Sequence, residues 1–537
     1  MSITPLSSED QVEAPPHNHV RGELVVKDSA VIAIFTGFGA VAALLMDAMV
    51  AFKYGMGAST DALFIALTIP QLLSSVLGTT IMPVLVPLFS RTRAEIGDEH
   101  NWTVFSNLAN LTLVLLTGVA LVGAACSPLL MLASAPGMDP ATRQLAIKLN
   151  QVLFLTVALV GAADVCKAML NSQRRFAVPA AANTVQYLVA ILTIALLGHR
   201  YGIQAAAVGY VLGCGIRLLI QVITLMVLGG HYRPVLNVKD PTVRQVGRLM
   251  IPLFLAQLQG QGGIWAERFL ASFLPTGSIS ALVYARRTLR ALNLAFVNSV
   301  SSALLPRLSV LVSRRNLDEL RRSVLLGIRV TLGVCTPLAV GVMALSVPLV
   351  SLLFRRGAFD EAAVSTCASI LVFYMPSLPF MALLQLAMSP HYAFQDTKTP
   401  LLIKTASLVL LVLLQLILSR ALGVSGLAAA LSLSSAATAI GAFVVLRRRI
   451  GHFEQNVWRY SAKVGTATLV MALVILPLIG WISHGVQISA PLKEILQLVS
   501  AGVVGAAVYS GGLVLLRVDG VREGITLVRR RIAASTR

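Results

Sequence analysis

About fourteen apolar runs follow one another along this chain, and its polar residues are confined largely to the short gaps between them. A membrane-spanning helix needs about 20 mostly apolar residues, and the stretches Val31 to Val50, Leu401 to Leu418 and Val464 to Ile482 approach that length. With 56% hydrophobic residues and a mean hydropathy of +0.80, the composition fits no soluble domain. The pattern predicts an all-α polytopic membrane protein of about fourteen transmembrane helices.

The basic residues fall into every second gap. Arg91 and Arg93 follow the second run, Arg174 and Arg175 the fourth, and Arg233, Lys239, Arg244 and Arg248 the sixth. Arg314, Arg315, Arg321 and Arg322 follow the eighth, Lys398 the tenth, Arg447 to Arg449 the twelfth, and Arg529 to Arg531 lie in the tail. The intervening gaps, such as Tyr54 to Ser59, Leu274 to Gly277 and Leu422 to Ser425, are poor in charge, with Arg355 and Arg356 as the exception. Short loops rich in Lys and Arg stay in the cytoplasm, so both termini are expected there. The formal net charge of +20 is thereby placed against anionic headgroups, and no nucleic-acid partner is expected. Met1 to Lys27 is polar, contains Pro5, Pro15 and Pro16, and lacks the apolar stretch of a cleaved signal peptide, so a cytoplasmic tail is expected.

Residues Ala62, Leu63, Ala66, Pro87 and Ser90 recur 219 positions later as Ala281, Leu282, Ala285, Pro306 and Ser309. A shift of six runs keeps the direction of each helix, so the halves form a parallel repeat about an axis along the membrane normal. The expected organisation is a tail (1–27), an N-lobe of six spans (28–229), a C-lobe of six spans (230–450), two further spans (451–517) and a C-terminal tail (518–537). Two lobes that rock about a central site are a transporter architecture.

Ionisable residues within spans are costly and usually face a cavity or a partner. Asp47 lies near the end of the first run, Asp61 opens the second, Glu267 and Arg268 interrupt the seventh, and Arg286, Arg287 and Arg290 occupy the eighth. Arg287 and Arg290 share a helical face, and clustered guanidiniums suit a phosphate-bearing substrate. The alternative for Arg268 and Arg286 is snorkelling, or structural pairing with Glu267 and Asp47. Arg217, Arg329 and Lys404 are expected to snorkel to nearby helix ends. Gln257, Gln259 and Gln261, interleaved with Gly260 and followed by Gly262 and Gly263, suggest a cavity-facing hinge. The five cysteines, Cys126, Cys166, Cys214, Cys335 and Cys367, lie in or beside apolar runs without metal-ligand spacing, and His17 and His19 are isolated. No metal, cofactor or enzymatic motif is expected.

Several segments resemble, in order, the MurJ (MviN) family of lipid II flippases. They are Tyr54-Gly-Met-Gly-Ala-Ser-Thr-Asp61, Leu170-Asn-Ser-Gln-Arg-Arg-Phe-Ala-Val-Pro179, Ala271-Ser-Phe-Leu-Pro-Thr-Gly-Ser278 with Tyr284-Ala-Arg-Arg287, Leu305-Pro-Arg-Leu-Ser309, and Tyr392-Ala-Phe-Gln-Asp-Thr-Lys-Thr-Pro400. The resemblance implies a member of the multidrug, oligosaccharidyl-lipid and polysaccharide exporter superfamily, with a cationic central cavity and a groove for a polyprenyl tail on spans thirteen and fourteen. It implies transport roles for Asp61 and Arg287. Ala40, Met46 and Ser74 stand where the family has cavity arginines, and Arg286 stands where an acidic residue is common.

The expected function is the flipping of a polyprenyl-diphosphate-linked glycan, lipid II, across a bacterial inner membrane by a monomer, with Arg287, Arg286, Arg290 and Arg268 holding the diphosphate. Asp61, Asp47 and Glu267 are the acidic candidates for the cavity and its coupling. An exopolysaccharide repeat unit is the alternative cargo. A drug or cation antiporter would need acidic cavity residues and no lipid groove. A glycan-polymerising enzyme would need a large catalytic loop, which the sequence does not contain.

Overall fold

The computed structural model describes residues 18–293, 308, 310–314, 316–451, 457–485 and 489–518, with side chains from residue 36 onward. Pro306, Arg315, Arg529 to Arg531, His17 and most of Leu305 to Ser309 lie outside the described residues. Every regular element among those described is helical. The first lobe runs through α1 (Asn18–Tyr54), α2 (Ala58–Ala66), α3 (Thr68–Glu95), α4 (Asp98–Ala125), α5 (Ser127–Ser134), α6 (Pro140–Leu153), α7 (Leu155–Ser172), α8 (Ala177–Tyr201) and α9 (Gln204–Val227). The second contains α10 (Pro241–Ala271), α11 (Ser278–Leu292), α12 (Leu317–Ala344), α13 (Ser346–Phe354), α14 (Glu361–Tyr374), α15 (Ser377–Ala393) and α16 (Lys398–Ile450). Two last helices follow, α17 (Val457–Gly485) and α18 (Ala490–Leu515).

Eleven described helical stretches are long and apolar enough to cross a bilayer. One of them, α16, is two helices joined at Gly423, whose backbone (φ 58, ψ −133) breaks the helical path. The loop expected at Leu422 to Ser425 is therefore reduced to a single kinked glycine. α10 lies outside the apolar set because glutamines, a glutamate and arginines interrupt it, and α11 because it is described over 15 residues only. Counting them as spans, and α16 as two, is compatible with fourteen.

The repeat is written into the element boundaries. α4 and α12 start at 98 and 317 and end at 125 and 344, and α5 and α13 start at 127 and 346, each at the offset of 219. Asp139 and Asp360 cap α6 and α14 through the backbone N–H of Thr142 and Ala363 (2.9 and 2.8 Å). Arg174 and Gln395 share a left-handed backbone (φ 59 and 58), and Gly202 mirrors Gly423 (φ 57 and 58). Matching caps and turns show that the two lobes repeat one local design.

One buried cluster spans both lobes at the charge-poor end of the bundle, from Val50, Leu63 and Met131 to Tyr284, Phe354 and Tyr374. Toward the basic end the core divides into one cluster around Phe89, Trp102 and Met169 in the first lobe and another around Leu320, Leu386 and Leu446 in the second. The lobes are thus joined at one end and separately packed at the other. Their seam is pseudo-symmetric. Gly137 N–H donates to Ser272 Oγ (3.2 Å), and in the counterpart contact Gly357 (φ +60) lies against Phe52, where any Cβ would collide, while Ala358 N–H donates to Phe52 O (2.8 Å).

Exposed Ser59 and Thr276 at the charge-poor end, and Arg93 and Arg448 at the basic end, provide a test of orientation. A membrane-impermeant maleimide applied to intact spheroplasts is expected to label cysteines at the first two positions and to spare the second two. The reverse pattern would invert the topology.

Candidate functional site

α11 is amphipathic: its first turns bury Ile279, Leu282, Val283 and Tyr284, and its arginines follow. Arg287 reaches from this helix to Asp47 of α1 and closes an ion pair between the lobes. Arg286 pairs with Glu267 of α10, its Nε lying 3.1 Å from Oε1 and a second guanidinium nitrogen bonding Oε2. This is the bidentate geometry for which guanidinium is suited. Both carboxylates are almost sealed, at 2% exposure each, whereas the guanidiniums keep 23% and 26% of their side-chain surface open. The arginines are therefore the face offered to a ligand, and the acids are their backing.

Arg268 points the other way across the seam, donating to Phe64 O (3.0 Å) and to the Thr68 hydroxyl. Aromatic rings frame the charges. The Arg286 guanidinium lies 5.3 Å from the Tyr374 ring centroid, that of Arg287 lies 5.6 Å from Phe64, and Phe64 meets Tyr284 edge-on at 5.3 Å. Such rings hold guanidiniums by cation–π attraction while excluding water. Arg290 is exposed, farther toward the basic end. Four arginines and two paired acids leave an excess of two positive charges.

Asp61 is positioned differently from the other acids. Its two carboxylate oxygens accept the backbone N–H groups of Gly277 (2.6 Å) and Ser280 (2.7 Å), so a residue of α2 caps the first turn of α11 in the opposite lobe. Unpaired N–H groups and the helix dipole make that terminus a natural carboxylate site. Ser280 is the repeat counterpart of Asp61, which places this contact on the pseudo-two-fold axis. The structure thus brings Asp47, Glu267, Arg268, Arg286 and Arg287 together, and sets Asp61 apart as a joint above them.

On the basic side of the charged group, Gln261 Nε2 donates to Ser75 Oγ of α3 (3.2 Å), and Gln259 bonds Thr405 of α16. Gly262 and Gly263 lie against Leu408 and Leu411 of α16, where a Cβ would stand 3.2 and 2.7 Å from leucine methyls. These glycines give α10 close contact with α16 in addition to their backbone freedom.

Arg217 does not snorkel. It is 9% exposed and its guanidinium lies 2.5 Å from Asp164 of α7, with Gln186 at 3.5 Å. Gly78 leaves room for Asp164, since a Cβ there would stand 2.8 Å from the carboxylate. An aspartate inside the fourth apolar run was the available signal, because a buried carboxylate calls for a partner. Arg329 lies over the Tyr460 ring, and Lys404 is exposed. Four of the cysteines are buried as expected, and Cys126 is exposed. No group of metal-ligating side chains occurs among the described residues.

The family model for lipid II flippase MurJ matches residues 50–495. The chain is 28% identical over 515 residues to a Vibrio cholerae protein named "Probable lipid II flippase MurJ", covering 92% of this chain and 96% of that protein. It is 24% identical over 496 residues to the lipid II flippase MurJ of Burkholderia cenocepacia, covering 89% and 95%. Among solved structures, a lipid II flippase MurJ in an inward closed conformation superposes with a TM-score of 0.76 at 22% identity, covering 91% of this chain and 99% of that one. An inward-facing multidrug resistance MATE transporter gives 0.65 at 15% identity, covering 78% and 98%. The last two comparisons establish a shared fold. With a family match over most of its length and a repeat that meets at an arginine-lined seam, the chain belongs to the MurJ lipid II flippase family.

Proposed function

We propose that this protein flips lipid II, the undecaprenyl-diphosphate-linked peptidoglycan precursor, from the cytoplasmic to the periplasmic leaflet of a bacterial inner membrane by alternating access. The observation that carries the reading is the pair of partly open arginines on α11, Arg286 and Arg287, each backed by a sealed carboxylate and an aromatic ring. The excess of two positive charges among the four arginines and two paired acids matches a doubly esterified diphosphate, which carries two negative charges at neutral pH. Arg287, Arg286, Arg290 and Arg268 hold the diphosphate, while Asp47 and Glu267 fix the arginines when the site is empty. No bond of the substrate is made or broken.

The N-lobe (28–229) and C-lobe (230–450) rock about the seam, with both termini cytoplasmic and a monomer sufficient for transport. Residues 451–517 supply the groove for the polyprenyl tail. In support of this role, α17 and α18 dock on the second lobe through Tyr460 to Arg329 O (2.9 Å) and Tyr509 to Gly333 O (2.7 Å). They leave Leu469, Leu473, Val499 and Val503 exposed. A tail lying on that surface avoids entering a charged cavity.

The test is complementation of a strain depleted of its lipid II flippase, paired with photo-crosslinking of a polyprenyl diphosphate probe. Growth with normal cell shape, and labelling of α17 and α18, are the expected results. Failure to complement despite labelling would transfer the cargo to another polyprenyl-diphosphate-linked glycan, a reading favoured by Ala40 and Met46 in α1. Failure of both would remove the proposal.

A further inference from the structure

The segment that joins the lobes, residues 229–240, does not cross open space. It lies along one face of α4 and is hydrogen-bonded to it at Tyr232, Arg233, Val235 and Asn237. The side-chain amide of Asn107 pairs with the backbone of Asn237 in both directions, Nδ2 donating to Asn237 O (3.0 Å) and Oδ1 accepting from Asn237 N–H (2.7 Å). Asn110 Nδ2 donates to Val235 O (2.9 Å), and its Oδ1 accepts from the Tyr232 hydroxyl (2.8 Å). Ser106 Oγ accepts from Arg233 N–H (3.1 Å), and Glu99 pairs with the Arg233 guanidinium (2.5 Å).

An asparagine amide carries the same donor and acceptor as a peptide group, so Asn107 and Asn110 act as rungs for an extended chain. Glu99, Ser106 and Asn110 follow one another at helical spacing. The device is absent from the other lobe: at the offset of 219, the counterparts of Ser106, Asn107 and Asn110 are Leu325, Leu326 and Arg329.

The consequence falls on α10, the helix that this segment feeds. Its first turns pack in the first lobe, where Val246 is buried beside Trp102 and Phe105 with Val243 and Met250 around it. Its last turns pack on the second lobe through Gly262 and Gly263 against α16 and Glu267 with Arg286, and meet the first lobe through side-chain hydrogen bonds across the seam, from Gln261 to Ser75, Trp265 to Ser134, and Arg268 to Phe64 and Thr68. Between these anchors lie Pro252, which lacks the N–H for a helix bond, and Gly260, with residues 251–253 and 255–257 exposed.

We propose that Asn107 and Asn110, supported by Ser106 and Glu99, are positioning residues that clamp the inter-lobe segment to the first lobe throughout the transport cycle. The cytoplasmic end of α10 then moves with the first lobe and its arginine-bearing end with the second. Rocking is concentrated into a bend between Pro252 and Gly260. This rests on the alternating-access reading and adds to it the element that tells α10 where to bend.

The test uses full-length protein in lipid nanodiscs and proteoliposomes, with the exposed Cys126 replaced by serine. Spin labels at His100→Cys and Gln245→Cys are expected to give one narrow distance distribution, unchanged by lipid II. Asn107→Ala combined with Asn110→Ala should broaden it and slow flipping by about tenfold, the scale expected for losing a set of hydrogen bonds. A second variant, Asn110→Cys with Val235→Cys joined by a short thiol cross-linker, should flip within about twofold of the parent protein, since the cross-link replaces the rung that the substitution removes and a clamp that never opens loses nothing when made covalent. Loss of flipping on cross-linking that is restored by reduction would show that the segment must undock. An unchanged distance and rate in the double alanine variant would likewise overturn the proposal. The distance measurement needs no cargo, so a protein that holds a narrow distance but fails to move lipid II would count against the cargo and leave the clamp standing.

Discussion

Arg287→Ala is expected to abolish lipid II flipping, with a loss of about 100-fold or more if the guanidinium makes charge-assisted contacts to the diphosphate. The single substitution has a second effect, because Asp47 is sealed and would lose its only ion-pair partner among the described residues. Stranding a buried charge in this way costs about 3–5 kcal/mol, enough to lower expression by itself. Combining Arg287→Ala with Asp47→Asn removes the stranded charge. Its thermal stability is expected to return close to that of the parent while flipping stays lost. Arg287→Lys should retain the pairing with Asp47 and recover transport only in part, since an ammonium cannot reproduce the planar fork. Fluorescent lipid II in proteoliposomes, read beside a thermal melt, separates the two effects. Full activity in the double variant would remove Arg287 from the binding site.

Asp61→Asn is expected to loosen the seam at the charge-poor end. The carboxylate holds the α11 N-terminus through two N–H donors. An amide keeps one acceptor and turns an NH2 against the other donor. Hydrogen bonds to a charged acceptor contribute about 1.5–3 kcal/mol each, and the helix dipole adds to the preference for an anion. Loss of one of them should shift the balance toward a state open at this end by about tenfold or more. A cysteine at Leu72, deeper along α3, reports this: labelling by an impermeant maleimide from the charge-poor side should rise in the Asp61→Asn background, with flipping reduced. Unchanged labelling together with normal transport would show that the cap is ornamental to the cycle.

Several of these features were legible in the chain itself. The lengths of the apolar runs, the alternation of basic gaps and the offset of 219 depend on local composition, which one sequence carries in full. The acidic and basic residues inside α1, α2, α10 and α11 also stood out, because a charge in lipid is costly wherever it occurs. Pairing of Arg268 and Arg286 with Glu267 and Asp47 was one alternative, and Arg286 does meet Glu267, but the partners of Arg287 and Asp61 did not stand out. Nothing in the spacing of Asp47 and Arg287, or of Asp61 and Gly277, joins positions more than two hundred residues apart.

Arg217 shows the same limit from the other side. Its distance from a helix end made snorkelling plausible, but the side chain turns inward because Asp164 of α7 and the space above Gly78 lie on that face. The linker on α4 was equally hidden, since Asn107 and Asn110 are unremarkable in a helix until an extended backbone is laid against them.

The sequence alone thus determined the class, the repeat and the set of charged residues, because hydrophobic length, positive-inside bias and desolvation cost act residue by residue. Only the tertiary structure decided which acid backs which arginine, that Asp61 caps a helix of the opposite lobe, and that α10 is shared between two bodies. Those outcomes depend on pairwise geometry, where a hydrogen bond or ion pair exists at about 3 Å and vanishes a few ångströms farther away.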